Sequence, residues 1–268
     1  MIPKIIHYCW FGGNPIPEKD QKCIDSWKKY CPDYKIIRWD ESNYDITKNH
    51  YMKEAYDAKK WGFVPDYARL DIIYENGGIY LDTDVELVKN LDDLLENHGF
   101  MGFEDHKCVN PGLGFGAEKN SPMIKNIMDS IYESRHFIKE DGSFDLTPSP
   151  QMNTYYLVSK GLSITDQMQN INGLTIYPTE YFCPKSFVTG NIVLTKNSYS
   201  IHHFNMSWIN SFDKKWFLRE QKLTVAVGKK AAHIIVRFCS FPGRVVRKIK
   251  TIGFKSTIKI IISRIIKR

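Results

Sequence analysis

Two aspartates separated by one residue are the strongest chemical signal in this chain of 268 residues. Asp82 and Asp84 follow a short apolar run in the segment NGGIYLDTDVEL. Carboxylates at this spacing can aim at one cation, and hard oxygen ligands suit Mn²⁺ or Mg²⁺, which keep open positions for phosphate oxygens. Two acidic residues in a turn are usually only solvated. Here Gly77-Gly78 and the strand that follows deliver both carboxylates to a sheet edge, which favours a metal site.

Two other pairs of residues could complete such a site. Asp66 and Arg69 lie three residues apart on one helix face, either as a local ion pair or as groups that hold phosphate and sugar hydroxyls. His202 and His203 end a later strand. Adjacent strand residues point to opposite faces, so at most one of these histidines reaches a given ion. Histidine pairs of this kind are more often structural than metal ligands.

Aromatic residues and two loops supply further candidates. Tyr8 and Trp10 lie at the end of the first predicted strand, where an aromatic ring either stacks on a nucleotide base or belongs to the core. The loop 110–117 (NPGLGFGA) either lines a sugar or acceptor pocket or is a plain glycine-rich turn. The loop 147–151 (TPSPQ) is a second pocket candidate.

The elements that must position these residues alternate between strands and helices. Apolar runs predict strands over residues 4–8, 34–39, 79–81, 85–88, 100–103, 174–177 and 199–203. Helical spacing predicts helices over residues 18–30, 50–60, 66–75, 121–134 and 151–159. This order predicts an α/β fold with a mostly parallel sheet and ligands at the carboxyl ends of the strands.

Charge divides the chain into two parts. Residues 221–268 hold 13 of the 37 Lys and Arg and no Asp or Glu, so the first 220 residues carry a net charge of −6. We therefore predict a domain over residues 1–220 and a basic tail over residues 221–268, broken in two at Pro242-Gly243. An acidic body with a cationic tail indicates a polyanionic partner, either nucleic acid or an anionic membrane.

The apolar pattern of the tail favours the membrane. Isoleucines and one phenylalanine recur on one helical face, at Phe254, Ile258, Ile261, Ile262 and Ile265. The alternative is a terminal helix that docks on the body or on a partner subunit. The chain has neither a spanning apolar run nor the pattern of a secretion signal, so we expect a cytoplasmic protein, peripheral on the inner face of the cell membrane.

The opening IPKIIHYCWFGG, the block DYARLDIIYENGGIYLDTDV and the later IHHFNMSW resemble one known family. They are similar to the bacterial members of glycosyltransferase family 32, which carry a DXD motif and act in capsule and surface-polysaccharide synthesis. Yeast mannosyltransferases and, more distantly, the glucosyltransferase domains of clostridial toxins share the motifs. The resemblance covers roughly residues 2–210. It implies a GT-A (Rossmann-like) glycosyltransferase fold, a nucleotide-diphosphate sugar donor, Mn²⁺ or Mg²⁺, and retention at the anomeric carbon.

The resemblance also assigns roles to individual residues. Asp82 contacts the ribose or the metal, Asp84 ligates the metal, and His202, or else His203, is a further ligand. Asp66 and Arg69 hold the donor sugar and count as catalytic together with the two aspartates of the motif. The donor-binding set implied by the resemblance comprises Tyr8, Trp10, Asp66, Arg69, Tyr80, Asp82, Thr83 and Trp208. Within it, Trp10 stacks on the base and Trp208 covers the diphosphate.

The predicted activity is therefore transfer of a hexose or an N-acetylhexosamine to a glycan acceptor, which the cationic tail suggests is lipid-linked. A UDP-sugar is favoured over a GDP-sugar, and no nucleic-acid partner is expected. The rivals are a Mg²⁺-dependent phosphatase and a non-catalytic, membrane-bound scaffold that binds nucleotide sugars. Phosphatase chemistry fits poorly, because it wants Thr or Val where Glu86 stands.

Overall fold

The computed structural model of the chain describes residues 1–206 and 209–254. These residues divide into two compact units, one comprising residues 1–187 and 191–206 and the other residues 188–190 and 209–254. The boundary at residue 220 was predicted from the distribution of charge. It falls within a helix, Ser211–Val227, that carries charges of both signs. Among the described helices, none is long and apolar enough to cross a membrane.

Ten strands and six helices make up the described part of the first unit. The strands are β1 (Ile5–Cys9), β2 (Lys35–Trp39), β3 (Gly78–Tyr80), β4 (Val85–Leu87), β5 (Gly99–Glu104), β6 (Cys108–Val109), β7 (Phe115–Ala117), β8 (Gln169–Ile171), β9 (Leu174–Tyr177) and β10 (Ser200–His202). The α-helices are α1 (Glu18–Tyr30), α2 (His50–Asp57), α3 (Pro65–Asn76), α4 (Pro122–Tyr132), α5 (Ser149–Ser159) and α6 (Thr179–Phe182). Short 3₁₀ turns cover Ile46–Lys48 and Asp92–Leu94.

The main sheet has the strand order β2-β1-β3-β7-β5-β9-β8, with β6 paired to β5. Strands β2, β1 and β3 run parallel, and so do β5 and β9, whereas β7 is antiparallel to both of its neighbours. Five of the eight strands therefore point in one direction. The predicted α/β class with a mostly parallel sheet is confirmed.

Side chains from the two faces of the sheet build two buried clusters. Along β1, Cys9 belongs to the cluster under α2 to α5, whereas Ile6 and Tyr8 belong to the cluster under α1 and α6. Successive strand residues point to opposite faces, so one strand supplies both clusters. Because helices cover both faces of the sheet, a ligand can reach it only at the ends of the strands.

The passage from α3 to β3 depends on two glycines. Gly77 and Gly78 have φ angles of +67° and +104°, a region that L side chains rarely adopt. A Cβ at Gly78 would lie 2.9 Å from the Nε2 atom of His7 and 2.7 Å from the carbonyl oxygen of Ile5. The glycine pair therefore reverses the chain tightly enough for β3 to pair with β1, and it sets where the acidic turn emerges.

A second, two-stranded sheet lies beside the acidic turn. Strand β10 is antiparallel to β4, in a register that sets His202 opposite Val85 and Ile201 opposite Glu86. This pairing joins the end of the first unit to the residues that directly follow Asp84. It brings a histidine next to a carboxylate more than a hundred residues away in the sequence.

Two long helices, α7 (Ser211–Val227) and α8 (Lys229–Ile252), make up the described part of the second unit together with residues 188–190. They are separated at Gly228, which has a φ angle of +80°. The predicted break at Pro242-Gly243 was wrong, because α8 continues through both residues. Pro242 removes one backbone hydrogen bond, while a Cβ at Gly243 would lie 2.6 Å from the ring of Phe212 on α7. The glycine thus serves close packing of two helices.

Candidate active site

The acidic turn is held by backbone hydrogen bonds on both sides. The N–H of Leu81 donates to the carbonyl oxygen of His7 at 3.0 Å, and the N–H of Asp82 donates to that of Gly112 at 3.2 Å. The N–H of Val85 donates to the carbonyl oxygen of Asp82 at 3.0 Å and closes the turn. The two aspartates are therefore fixed to the sheet through their backbone. Thr83, between them, is half-buried.

Asp66 and Arg69 form a buried pair beside Asp82. The Nη2 atom of Arg69 lies 2.9 Å from Oδ1 of Asp66, and its Nη1 atom lies 3.6 Å from Oδ2 of Asp82. The guanidinium also donates through Nε to the carbonyl oxygen of Pro65 and lies over the ring of Tyr80, 5.3 Å from its centroid. The hydroxyl of Tyr80 donates to Oδ1 of Asp82 at 3.1 Å. Arg69 thus links the helix to the acidic turn.

In this group only the guanidinium is firmly held in its charged form. Burial raises the pKa of the Asp66 carboxyl to about 7, although Arg69 opposes the shift. Burial also raises the pKa of Asp82, again opposed by Arg69. For Arg69, burial lowers the pKa but the surrounding carboxylates and Tyr80 raise it more, so the guanidinium remains a cation. One cation faces two acids, of which Asp66 is buried and Asp82 is half-buried, and a second cation would complete the balance of charge.

Asp84 and His202 face each other across the small sheet. The Nε2 atom of His202 lies 3.3 Å from Oδ1 of Asp84, while Oδ2 of Asp84 accepts the N–H of Asn205 at 2.7 Å. Burial tends to raise the pKa of the Asp84 carboxyl, but His202 and the N–H of Asn205 outweigh it and lower that pKa to about 2. Burial lowers the pKa of His202, whereas Asp84 raises it well above its usual value. The pair is therefore charged when no other cation is near.

Asp82, Asp84 and His202 form a candidate metal centre. Each offers one ligand atom, and these atoms all lie within 4.8 Å of one another. The set of two carboxylates and one imidazole fits a divalent cation of the Mn²⁺ type. The residues present therefore fit the metal that the motif implies.

His203, the alternative ligand, points elsewhere. Its Nε2 atom lies 2.7 Å from Oε2 of Glu86, and its backbone N–H donates to the carbonyl oxygen of Asp84 at 2.9 Å. The antiparallel register of β10 and β4 explains this, since neighbouring residues leave the strand on opposite sides. The structure groups His202, and not His203, with the two aspartates.

The aromatic residues predicted to bind the donor occupy different environments. Trp10 is half-buried, and its Nε1 atom donates to the carbonyl oxygen of Asn14 at 2.6 Å. Tyr8 is buried, and its ring packs edge-on against Trp27, with 5.5 Å between centroids. Part of the Trp10 ring is therefore exposed to solvent, whereas the ring of Tyr8 packs against other protein side chains. Trp208 lies outside the described residues.

A hydrogen-bonded chain that the sequence did not reveal supports Asp82 from the other side. Glu104, at the end of β5, accepts from the amide of Asn110, and the carbonyl oxygen of that amide accepts the N–H of Gly112 at 2.7 Å. Burial raises the pKa of Glu104, while His202 opposes the shift. In the sequence, the feature that could have indicated this chain of hydrogen bonds is an acid at the carboxyl end of a strand, followed by the asparagine that opens the glycine-rich loop.

Two polar groups next to Asp84 were also missed. The amide of Asn205 donates to Oδ1 of Asp20 at 2.5 Å and thereby ties the segment after β10 to α1. The Nζ atom of Lys185 donates to the carbonyl oxygen of His203 at 2.9 Å. Asn205 lies within the motif IHHFNMSW, whereas an isolated lysine carries no recognisable signal. Lys185 places a half-buried cation near the acidic turn.

Comparison with known proteins agrees with this geometry. Residues 17–101 match the family described as "Glycosyltransferase sugar-binding region containing DXD motif". The match includes the helix with Asp66 and Arg69 and the turn with Asp82 and Asp84, whereas His202 lies beyond it. Part of the chain is therefore similar to a sugar-binding region of glycosyltransferases.

Individual relatives extend the similarity over different shares of the chain. Inositol phosphoceramide mannosyltransferase 3 of Schizosaccharomyces pombe is 40% identical over 138 residues, which are 48% of this chain and 37% of the relative. An uncharacterized glycosyltransferase, L373, of Acanthamoeba polyphaga mimivirus is 29% identical over 69% of this chain and 74% of its own length. These relatives are fungal and viral, and membership in the bacterial part of glycosyltransferase family 32 stays a prediction.

A solved structure, PaToxG glycosyltransferase, superposes with a TM-score of 0.46 and 22% sequence identity, over 60% of this chain and 69% of that protein. The chain spans little more than a third of the length of the mannosyltransferase above.

Proposed function

We propose that this chain is a metal-dependent glycosyltransferase that moves a sugar from a nucleotide-diphosphate donor to a glycan acceptor. The observation that carries the proposal is the meeting of Asp82, Asp84 and His202 at one sheet edge, next to the buried pair of Asp66 and Arg69. A divalent cation and a fixed guanidinium are the groups that transfer from a diphosphate requires, because negative charge develops on the leaving phosphate.

The donor diphosphate belongs between the metal ligands and Arg69. Asp82, Asp84 and His202 would hold Mn²⁺ or Mg²⁺, which supplies charge neutralisation to the diphosphate when it is bound. Arg69 keeps its positive charge and its orientation through Asp66, Pro65 and Tyr80, so it needs no rearrangement to face an anion. Asp66, which accepts a hydrogen bond from this guanidinium, would also accept hydrogen bonds from hydroxyls of the donor sugar. Trp10 would stack on the base.

The reaction we propose retains the configuration at the anomeric carbon by front-face substitution. The bond between the anomeric carbon and the β-phosphate oxygen breaks, and the acceptor oxygen bonds to the same face of that carbon. The acceptor proton passes to the departing phosphate oxygen, so this route requires no carboxylate nucleophile. Arg69 stabilises the negative charge that gathers on the phosphate.

The donor sugar is proposed to be a hexose. Relatives named as mannosyltransferases, among them the one from S. pombe and a mannosyl phosphorylinositol ceramide synthase of Saccharomyces cerevisiae, support mannose as a candidate. The sequence favours a UDP-sugar over a GDP-sugar. GDP-mannose therefore belongs in any donor panel beside the UDP-hexoses and UDP-N-acetylhexosamines.

The acceptor is proposed to be a lipid-linked glycan in the synthesis of a capsule, an exopolysaccharide or another surface glycan. The names of the fungal relatives refer to a ceramide lipid, which supports a lipid-borne acceptor. The basic C-terminal part of the chain supports a location on the inner face of the cell membrane, since anionic lipids lie at that surface.

Donor hydrolysis tests the proposal. A panel of UDP- and GDP-sugars is incubated with the protein and Mn²⁺, with EDTA, and with the Asp84→Asn variant. We expect one donor to be hydrolysed, with activity that EDTA removes and that the substitution lowers about a hundredfold or more. Glu86→Gln is the matched control, because Glu86 lies two residues further along and faces His203 instead of the centre.

Two results would contradict the proposal. Hydrolysis that persists in EDTA and in Asp84→Asn would remove the metal centre from the reaction. If no donor is hydrolysed, calorimetry with UDP and GDP in the presence of Mn²⁺ separates a transferase that requires its acceptor from a protein that binds no nucleotide. A protein that neither hydrolyses a donor nor binds a nucleotide would reject the proposed function.

A further inference from the structure

Helix α8 carries an apolar ridge, which we define as Ile234, Phe238, Phe241, Val245, Ile249 and Ile252. Val245 and Ile249 are half-buried, and the other four are exposed. The spacing of the ridge residues is four, three, four, four and three residues, so all six lie on one face of an α-helix. The face extends for about 27 Å at the rise of an α-helix. Phe238 is 81% exposed and Ile234 is 68% exposed, which is unusual for such large apolar side chains.

The opposite face of α8 is the one that packs. Ala232, Val236 and Ser240 are buried, and Gly243, on the same face, lies against Phe212 of α7. Polar contacts to α7 flank this face, with His233 bonded to Glu220 at 2.9 Å and Arg247 bonded to Asn210 at 2.7 Å. Helix α7 therefore fixes how α8 is rotated, and this rotation turns the ridge away from the packed face.

Cations flank the ridge, and acids are absent from the helix. Helix α8 contains seven Lys and Arg and no Asp or Glu. Arg247 pairs with Asp213 at 3.4 Å, and the other six cations of α8 make no ion pair with a described residue. An apolar ridge bordered by unpaired cations matches an anionic lipid surface, where the apolar side chains enter the interface and the cations meet lipid phosphates.

We propose that the ridge on α8 is a docking surface for an anionic lipid bilayer, on which the helix lies flat. This deepens the membrane location proposed above, and it does not depend on the transferase activity. It also differs from the sequence prediction, which placed the membrane-binding face on residues 254–265. Of those positions only Phe254 is described, and it is exposed.

Vesicle sedimentation with the full chain tests this surface. The probes are vesicles of phosphatidylcholine mixed with phosphatidylglycerol, and vesicles of phosphatidylcholine alone. We expect binding to the anionic vesicles that weakens with salt, and a decrease in partitioning of about tenfold or more in Phe238→Glu and in Ile234→Glu. Lys230→Ala should lower binding about fivefold and only to anionic vesicles, because it removes one charge near the surface.

Val193→Glu is the matched control for these substitutions. Val193 is 68% exposed, as is Ile234, but it lies in the first unit. Val193→Glu therefore replaces a branched apolar side chain by the same charge at the exposure of Ile234, and partitioning should not change. Urea titration without vesicles should give the wild-type free energy of unfolding within about 0.5 kcal/mol in all four variants, which shows that they are folded without relying on the proposed activity.

Three outcomes would overturn the proposal. The ridge would not be the docking surface if the wild type fails to bind anionic vesicles, or if Phe238→Glu and Val193→Glu partition equally. Binding to duplex DNA in preference to vesicles, unaffected by Phe238→Glu, would assign the cations of α8 to nucleic acid instead.

Discussion

The acidic turn and the helix α8 both differ from the usual distribution of side chains, in opposite ways: the turn buries ionisable groups, and the helix exposes apolar ones. Around the turn, the ionisable side chains of Asp66, Arg69 and His202 are buried, whereas on α8 the apolar side chains of Phe238 and Ile234 are exposed. Buried charges are costly unless they are paired, and exposed apolar ridges are uncommon on soluble surfaces. Each departure marks a place where a second molecule would complete the environment: a cation and a diphosphate in the first case, and a bilayer in the second.

The two regions should differ sharply in what they contribute to folding. Removal of one member of a buried charge network leaves its partners unpaired inside the protein. Removal of an exposed apolar side chain changes almost nothing that the folded state has buried. The free energy of unfolding, measured by urea titration, therefore separates the regions without any ligand.

The largest effect is expected at Arg69. Arg69→Met removes the cation that faces the buried Asp66 and the half-buried Asp82, so both carboxyl groups lose their partner, and we expect a loss of about 3–5 kcal/mol in the free energy of unfolding. Combining this change with Asp66→Asn should restore part of the loss. If urea titration gives the wild-type free energy for Arg69→Met, the guanidinium is not needed to compensate the acids.

A buried histidine gives the next largest effect and makes it depend on pH. The Nδ1 atom of His7 accepts the indole N–H of Trp39 at 3.0 Å, and its Nε2 atom donates to the carbonyl oxygen of Gly77 at 3.0 Å. Burial lowers the pKa of His7 to about 4. The unfolded chain, with an ordinary pKa of about 6.5, therefore binds the additional proton first.

This sign means that stability is full above about pH 6.5 and decreases as the pH falls toward 4, by about 3 kcal/mol from His7 alone. Urea titrations across that range should show a shallower decrease in His7→Gln than in the wild type. His50→Gln, a substitution at an exposed histidine, should keep the wild-type slope. Equal slopes in all three proteins would mean that His7 does not cause the pH dependence.

A smaller loss is expected at Gly112. A Cβ there would collide with the carboxylate of Asp82 and lie 3.0 Å from both the guanidinium of Arg69 and the amide oxygen of Asn110. Gly112→Ala should cost about 1–3 kcal/mol and weaken Mn²⁺ binding measured by calorimetry. In Gly99→Ala the new Cβ meets the flexible end of Leu174 at 3.2 Å, so this control should keep its metal affinity.

The smallest effect is expected on α8. Phe238→Ser should change the free energy of unfolding by less than about 0.5 kcal/mol, because the ring is already exposed in the folded state. Val236→Ser, two residues earlier on the buried face of the same helix, should cost about 1–3 kcal/mol. A large loss in Phe238→Ser would show that the ridge packs against protein and would remove the contrast between the regions.

Local sequence signals predicted the elements well where they agreed with packing. The helix α1 (Glu18–Tyr30) and the strand β9 (Leu174–Tyr177) have the predicted bounds. Strand β7 was missed because its residues, Phe115–Ala117, lie in a glycine-rich stretch that is typical of a loop. A Cβ at Gly116 would collide with Phe100, so these glycines serve close strand packing, which only the neighbouring strand reveals.

The candidate site was predictable in its residue types and less so in its connections. The spacing of Asp82 and Asp84 and the helical pair before them are local features. The selection of His202 over His203 required the register of β10 against β4, which no local pattern contains. Glu104 and Asn110 were missed for the same reason, since their importance comes from hydrogen bonds that lead to Gly112 and Asp82.

The pairing of β10 with β4 has a consequence for the order of events during folding. Two ligands come from the segment around residue 83, whereas the third, His202, arrives with the last strand of the first unit. Closing a contact over so long a stretch of chain is slow, and during synthesis it must wait until that strand has emerged. Tight metal capture should therefore be a late step and a reporter of completed folding.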